Sequence, residues 1–230
     1  MEDVSNISSI FVLYFSFLST FLLTGCFCFW KDLIYDTNSY TERKIQKSNR
    51  IDTMLQYRKC ISTVISNIFI VIPVISIILT PLSPVHFYKF SDLYKFPINF
   101  VLIDILFYLS HRLMHVGFLY KKFHKKHHEI KKPISISALY LHPVDLIFSN
   151  FFPVVLPPFI LGQGLIAFSL WIIISIFNTV YISHQGIKNL SEFHDYHHEK
   201  SMYNYGAELF MDRLFGTYKT KEEYKAKVDY

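Results

Sequence analysis

Four uncharged or nearly uncharged apolar runs constrain this chain more than any other feature: Ile10–Trp30, Ile61–Leu82, Phe96–Ser110 and Leu146–Ile182. At 1.5 Å of rise per residue, a run of ~20 apolar residues crosses a hydrocarbon core of ~30 Å as a helix. The first run meets that length. The second ends at Pro81 and Pro84. The third is shorter and carries one acid, Asp104. The fourth is too long for one span and is broken near its middle by Pro153, Pro157, Pro158, Gly162 and Gly164, so it reads as a helical hairpin, full-length or re-entrant. The expected fold is an all-α integral membrane protein of about four transmembrane helices or hairpin segments. A hydrophobic share of 51% and a mean hydropathy of +0.26 agree with that class.

Charge orients the runs. Lys and Arg concentrate in 31–60 and 111–133, whereas 1–9 carries none and 83–96 carries only Lys89 and Lys95. The positive-inside rule places the two basic segments on the cytosolic side, and alternation then leaves 183–230 there as well. The net charge of +5 reads as loop charge near anionic lipid rather than as a nucleic-acid surface, since no nucleic-acid-binding motif accompanies it. Cys26 and Cys28 lie inside an apolar run and Cys60 at the edge of another, which is no disulfide framework. The opening "MEDVSN" lacks the basic start of a cleaved signal, so the first run is expected to stay as an anchor.

Eight of eleven histidines fall in three short patterns. "HRLMH" places His111 and His115 at i, i+4. "HKKHH" places His124, His127 and His128 at i, i+3, i+4, and "HDYHH" repeats that spacing with His194, His197 and His198. On a helix such spacings put imidazoles on one face, one turn apart, where they converge on a metal ion. Lysine would serve lipid headgroups equally well, so headgroup binding does not explain the spacing. Eight or more imidazoles exceed the four ligands of one tetrahedral ion, which implies two ions. The clusters hold no Cys, and nitrogen-rich sites suit Fe, Zn, Cu or Ni alike.

Four further residues join the candidates. Asp104 lies seven residues before His111, on the same helix face, and an acid inside a span is costly. It reads as a carboxylate orienting a metal-bound imidazole, or as an edge acid reaching interfacial water. His142, in "HPVD", sits before a proline-started helix and either points at the metals or caps that helix, with Asp145 in the first turn suiting the helix dipole. His184, in "SHQG", ends the hairpin at the depth of the clusters and is favoured as a ligand. His86, in the opposite loop, is a bystander.

The pieces "FYLSHRLMH", "LYKKFHKKHHE", "LYLHPVD", "EFHDYHH", "NYG" and "DRLFGT" together resemble the fatty acid hydroxylase/sterol desaturase superfamily, closest to its C4-methylsterol oxidase and fatty acid hydroxylase domain-containing branch. The likeness runs from about Asp104 to Thr217. It implies a non-haem di-iron centre held by His111, His115, His124, His127, His128, His184, His194, His197 and His198, with Asp104, His142 and Asn204 of "NYG" behind the ligands. It implies a monooxygenase that hydroxylates an apolar lipid, a sterol first, with O2 and with electrons from a cytochrome b5-type donor and an NAD(P)H-dependent reductase. Desaturation or acyl hydroxylation at the same site is the alternative, and a non-enzymatic metal-binding relative is a further one. It implies a multi-pass protein of the endoplasmic reticulum membrane with the histidines in a helical cap facing the cytosol. The chain then divides into an anchor region 1–95, a catalytic region 96–220 and a charged tail 221–230. Two departures stand out. Lys188 occupies a position, four residues after His184, where relatives often carry His or Asp, and the stretch from His184 to His194 is short. Asp145 also stands where relatives usually have Glu.

Overall fold

A computed structural model describes residues 6–34, 42–45, 50–79, 86–220 and 222–223. The prolines at 81 and 84, the acidic start and most of the tail 221–230 lie outside them. Among the described residues the chain is helical, with an isolated bridge between Lys44 and Ile187 and no strand. Five helices are long and apolar enough to cross a membrane: α1 (Asn6–Ile34), α2 (Arg50–Ile78), α3 (Phe90–Met114), α4 (Pro143–Ile160) and α5 (Leu165–Ser183). Two shorter helices follow, α6 (Glu192–Lys200) and α7 (Phe210–Leu214). The expected hairpin is therefore α4 and α5.

Prolines do not all act as breaks. Pro157 and Pro158 lie inside α4, and the turn between the hairpin arms falls instead at Gly162, with φ +56°, and Gly164. A Cβ on Gly164 would meet the His86 ring at 2.6 Å, so the close approach requires glycine there. Pro73 and Pro153 each follow a widened π turn, Asn67–Val71 in α2 and Leu146–Phe151 in α4. Such a turn relieves the clash of the proline ring with the preceding turn's carbonyl, which lets both helices continue.

The core forms where α1 packs on α5, with Leu13, Phe17 and Phe21 against Leu165, Phe168 and Ile172, and where α2 packs on the turn Ser135–Leu139. Asn67, buried in the π turn of α2, donates its amide to the carbonyls of Leu139 and Leu141 at 2.9 and 3.0 Å. Outward faces carry Phe11, Phe15 and Leu23 on α1 and Ile70 and Ile77 on α2, all exposed. A water-facing helix would put polar residues there; these faces fit hydrocarbon.

Helix direction alternates, so the ends of α1, α3 and α5 and the starts of α2 and α4 gather at one end of the bundle. Tyr57 of α2 donates to Asp32 of α1 at 2.9 Å, and Gln185, just past α5, donates to the same carboxylate at 3.1 Å. The basic segments come to this end too: Lys44 pairs with Asp32 at 3.1 Å, Lys59 pairs with Glu129 at 2.9 Å, and Lys131 donates to the carbonyl of His198 at 3.1 Å. At the opposite end His86, Asp92 and Lys95 tie α3 to the α4–α5 turn, with Asp92 also accepting from the Gly164 amide at 3.0 Å. His86 is thus structural, far from the other histidines in the fold.

Candidate metal centre

Each histidine cluster is carried by a helix end or a tight turn at the gathered end. His111 sits in the last turn of α3, and His115 caps it. Gly117, with φ +33°, reverses the chain into a turn at Gly117–Leu119 that widens into a π turn, Tyr120–His124. A 3-10 turn, His127–Glu129, presents His127 and His128. His184 follows the π turn Asn178–Ser183 that ends α5. Gly186 and Asn189, both with φ +66°, turn the chain back so that α6 delivers His194, His197 and His198.

All nine meet in two groups, His111, His115, His124, His128 and His197 in one and His127, His184, His194 and His198 in the other. Within each group the ligand nitrogens lie within 4.8 Å of one another. In the first, Nε2 of His124 lies 3.1 Å from that of His111 and 3.0 Å from that of His128, and His115 and His197 are 3.1 Å apart. In the second, Nε2 of His194 is 3.0 Å from both His184 and His198. The groups adjoin, with the rings of His127 and His198 4.4 Å apart.

The outer nitrogens explain why the inner ones face each other. Nδ1 donates to a backbone carbonyl in four rings: His111 to Tyr205 at 2.7 Å, His197 to Tyr203 at 2.7 Å, His198 to Ile130 at 2.9 Å and His184 to Thr179 at 2.8 Å. A carbonyl only accepts, so the proton sits on Nδ1 and a neutral ring turns a bare Nε2 lone pair inward. Burial, reinforced by neighbouring rings, holds His115, His127, His128, His194 and His198 well below the ordinary imidazole range. Burial also pulls His184 to about 4 and His197 to about 3. Neutral lone pairs at ~3 Å repel unless a cation lies among them. At the centre, His127 Nδ1 and Asp145 Oδ1 are buried with no partner within the protein. Nine imidazoles, no thiolate and an uncompensated carboxylate form a donor set that fits two divalent first-row metal ions.

The residues behind the ligands differ from the sequence reading. Asp145, completely buried, accepts from Nδ1 of His124 at 2.8 Å and is the carboxylate that orients a ring. Asp104 does not touch a histidine. Its two oxygens accept the backbone amides of Glu208 and Met211, at 2.7 and 2.8 Å, because the loop before α7 presents unpaired donors to it. His142 caps α4, its Nδ1 accepting from the Val144 amide at 3.1 Å, and its ring lies 5.0 Å from that of Phe123, in neither histidine group. Asn204, at φ +57°, accepts from the Lys219 amide at 2.9 Å and donates to the Lys219 carbonyl at 3.2 Å. It thereby fixes the strip 203–205 whose carbonyls hold His197 and His111. Asp212 of "DRLFGT" braces that strip by accepting the amides of Tyr205 and Gly206 at 2.9 and 2.6 Å. A Cβ on Gly206 would stand 2.7 Å from Asp104 and 2.8 Å from Asp212, so the "NYG" glycine is required by two carboxylates closing on it. The sequence signal for Asp145 and Asp212 was present in the quoted motifs, without their roles.

Lys188 points away from the centre, its Nζ donating to the Glu42 carbonyl while its amide bonds Arg43. The second group has four imidazoles without it.

A cavity of about 260 Å³ runs from His111, His124, His127, His184 and His194 into the bundle, past Phe107 and Ile103, to Phe100 and Trp171. It shares Phe100, Ile174, Asn178, Ile182 and Glu208 with a hollow of about 500 Å³ that reaches Thr20 on α1 and Ile173 and Phe177 on the outward side of α5. Of the aromatics beside the first two clusters, Phe107 lines the cavity. Tyr108 instead stacks on Phe215 at 5.4 Å, and Tyr120 stacks on His115 at 5.5 Å. The geometry gives two adjoining nitrogen donor groups, each able to hold a metal ion, opening on a cavity that runs into the helix bundle.

The fatty acid hydroxylase family model matches residues 96–217, just over half the chain, and includes the nine histidines of the two groups. Fatty acid hydroxylase domain-containing protein 2 of Homo sapiens is 43% identical over 123 residues, 51% of this chain but only 37% of that protein. A Dictyostelium discoideum protein named as a methylsterol monooxygenase is 29% identical over 211 residues, covering 83% of this chain and 78% of the relative. A very-long-chain aldehyde decarbonylase of Oryza sativa subsp. indica is 35% identical over 144 residues, 55% of this chain and 53% of the relative. No solved structure matches. Motifs, helical architecture and family match agree: the chain is a multi-pass membrane protein that belongs to the fatty acid hydroxylase family.

Proposed function

We propose that the chain is a di-iron, O2-dependent lipid hydroxylase acting first on a sterol, with its catalytic unit in 96–220 and its histidine end on the cytosolic face of the endoplasmic reticulum membrane. The observation that carries the reading is the pairing of two histidine groups, five and four, with one cavity that touches both and runs into the helix bundle. His111, His115, His124, His128 and His197 would hold one iron, and His127, His184, His194 and His198 the other. Bound iron supplies oxygen activation and the insertion of one oxygen atom into a C–H bond. The protein's own part is to hold and dry the site. The Tyr203, Tyr205, Ile130 and Thr179 carbonyls and the Asp145 carboxylate fix ring orientation. Burial keeps water from the centre, which a reactive oxidant requires.

A lipid reaches the cavity sideways through the hollow between α1 and α5. Lys121, Lys122 and Lys125, exposed beside His124, form a basic surface suited to an acidic, cytochrome b5-type electron donor fed by an NAD(P)H-dependent reductase. The names of the methylsterol monooxygenase relatives support the sterol. The aldehyde decarbonylase relatives favour a second reading, an acyl aldehyde at the same centre.

Purified full-length protein, supplied with reductant and 18O2, tests both. A methylsterol product heavier by one 18O is expected. Loss of two hydrogens without label would mean desaturation, octadecanal shortened by one carbon would favour the second reading, and metal-replete protein that leaves every lipid unchanged would make the chain a metal binder only.

A further inference from the structure

The cavity beside the metal centre is not uniformly apolar, and its exceptions form a pattern. Serine and threonine hydroxyls inside apolar helices ordinarily bond the carbonyl four residues back. Ser16, Ser19, Thr20, Ser110 and Thr179 all do so here, at 2.7–2.8 Å. Ser149 of α4 and Ser175 of α5 do not. Both are buried, at 1% and 6% exposure, and both hydroxyls lack any partner in the protein. Both line the cavity, as do Asn150 and Asn178 on the same two helices. Ser169 is likewise unpartnered but is not among the residues lining this cavity. Two buried hydroxyls that forgo the local carbonyl and border this cavity are placed for a ligand atom that can donate and accept.

We infer that Ser149 and Ser175 bind an oxygen substituent of the lipid substrate, so that the cavity selects a hydroxyl-bearing lipid over a plain hydrocarbon and fixes which part of it faces the histidines. The inference rests on the cavity being the lipid site. Either a sterol or a long-chain alcohol supplies the same chemistry. The serines are specificity residues and take no part in bond making.

Trp171 makes the test independent of turnover. It is buried, borders the cavity, and is one of only two tryptophans, the other being Trp30. Full-length protein carrying Trp30→Phe is titrated in detergent, by Trp171 fluorescence, with cholesterol, 5α-cholestane, octadecanol and octadecane. Comparing one ligand across variants cancels its partition into micelles. In Ser149→Ala/Ser175→Ala, binding of at least one of the two alcohols is expected to weaken about tenfold, the worth of one or two neutral hydrogen bonds, while the matching hydrocarbon binds as before. The unchanged hydrocarbon shows that the cavity still folds. A loss confined to cholesterol assigns a sterol, and one confined to octadecanol a long-chain alcohol. Equal weakening of alcohol and hydrocarbon would reduce the serines to packing and overturn the inference, as would no change for either alcohol. If no probe perturbs Trp171 in the parent protein, the lipid-site reading fails as well.

Discussion

Removing the charge behind His124 gives the sharpest perturbation of the centre. Asp145 and His124 are 0% and 2% exposed at the side chain, and the carboxylate accepts from Nδ1 at 2.8 Å. The other oxygen of Asp145 has no partner in the protein, so the charge is balanced only through the ring and what the ring binds. A hydrogen bond to a charged group is worth ~1.5–3 kcal/mol against ~0.5–1.5 kcal/mol for a neutral one. Asp145→Asn keeps the shape and loses about 1 kcal/mol, roughly fivefold in metal affinity. Asp145→Ala leaves the Nδ1 proton buried without an acceptor and should reach the tenfold to hundredfold that follows loss of a carboxylate behind a metal-bound histidine. Chelator competition on the purified protein measures both, with the melting temperature of metal-free protein separating affinity from folding. Metal retention equal to wild type in both variants would refute the claim that Asp145 positions a ligand.

Other expectations follow from the same geometry. His127→Ala and His197→Ala, one from each group, should lose product formation by several orders of magnitude while leaving membrane insertion intact; turnover at the wild-type rate in either would separate the histidines from the chemistry. Gly206→Ala should lower stability by about 1–3 kcal/mol through overpacking, since its Cβ would lie 2.7 Å from Asp104 and 2.8 Å from Asp212, and a melting temperature equal to wild type would contradict that. Lys188→Ala should leave metal content unchanged, because Lys188 bonds Glu42 and not the centre; loss of an ion would reverse that placement. Metal-free protein should weaken as pH falls. The unfolded chain protonates its histidines near 6.5, whereas the folded His184 and His197 wait until about 4 and about 3. The stability they support is therefore full above pH 6.5 and declines from there toward about 3. A flat denaturation midpoint between pH 7 and 4 would argue that the rings are open to water.

Much of this was written in the sequence at short range. The i, i+3 and i, i+4 histidines could be read because a helix or tight turn fixes their relative positions within one turn, and the apolar runs could be read because their length matches a bilayer. Long-range partners were not legible. His124 and Asp145 meet only when the first turn of α4 packs beside the turn that ends at His124. Asp104 was recognised as an expensive acid, but its partners are backbone amides 104 and 107 residues away, which no side-chain pattern announces. The break between α4 and α5 fell at glycines rather than at prolines: a π turn precedes Pro153, Pro157 and Pro158 stay inside the helix, and the chain reverses where Gly162 takes a positive φ. Lys188 looked like a lost ligand from its position alone, and the turn at Gly186 and Asn189 sends it the other way.

The most direct test of the central claim is the metal content per chain of detergent-purified wild-type protein, measured beside His127→Ala and His124→Ala. About two ions per wild-type chain are expected, with iron supporting turnover, and loss of metal in each variant because the two residues belong to different groups. One ion or none in fully folded wild-type protein would contradict that claim.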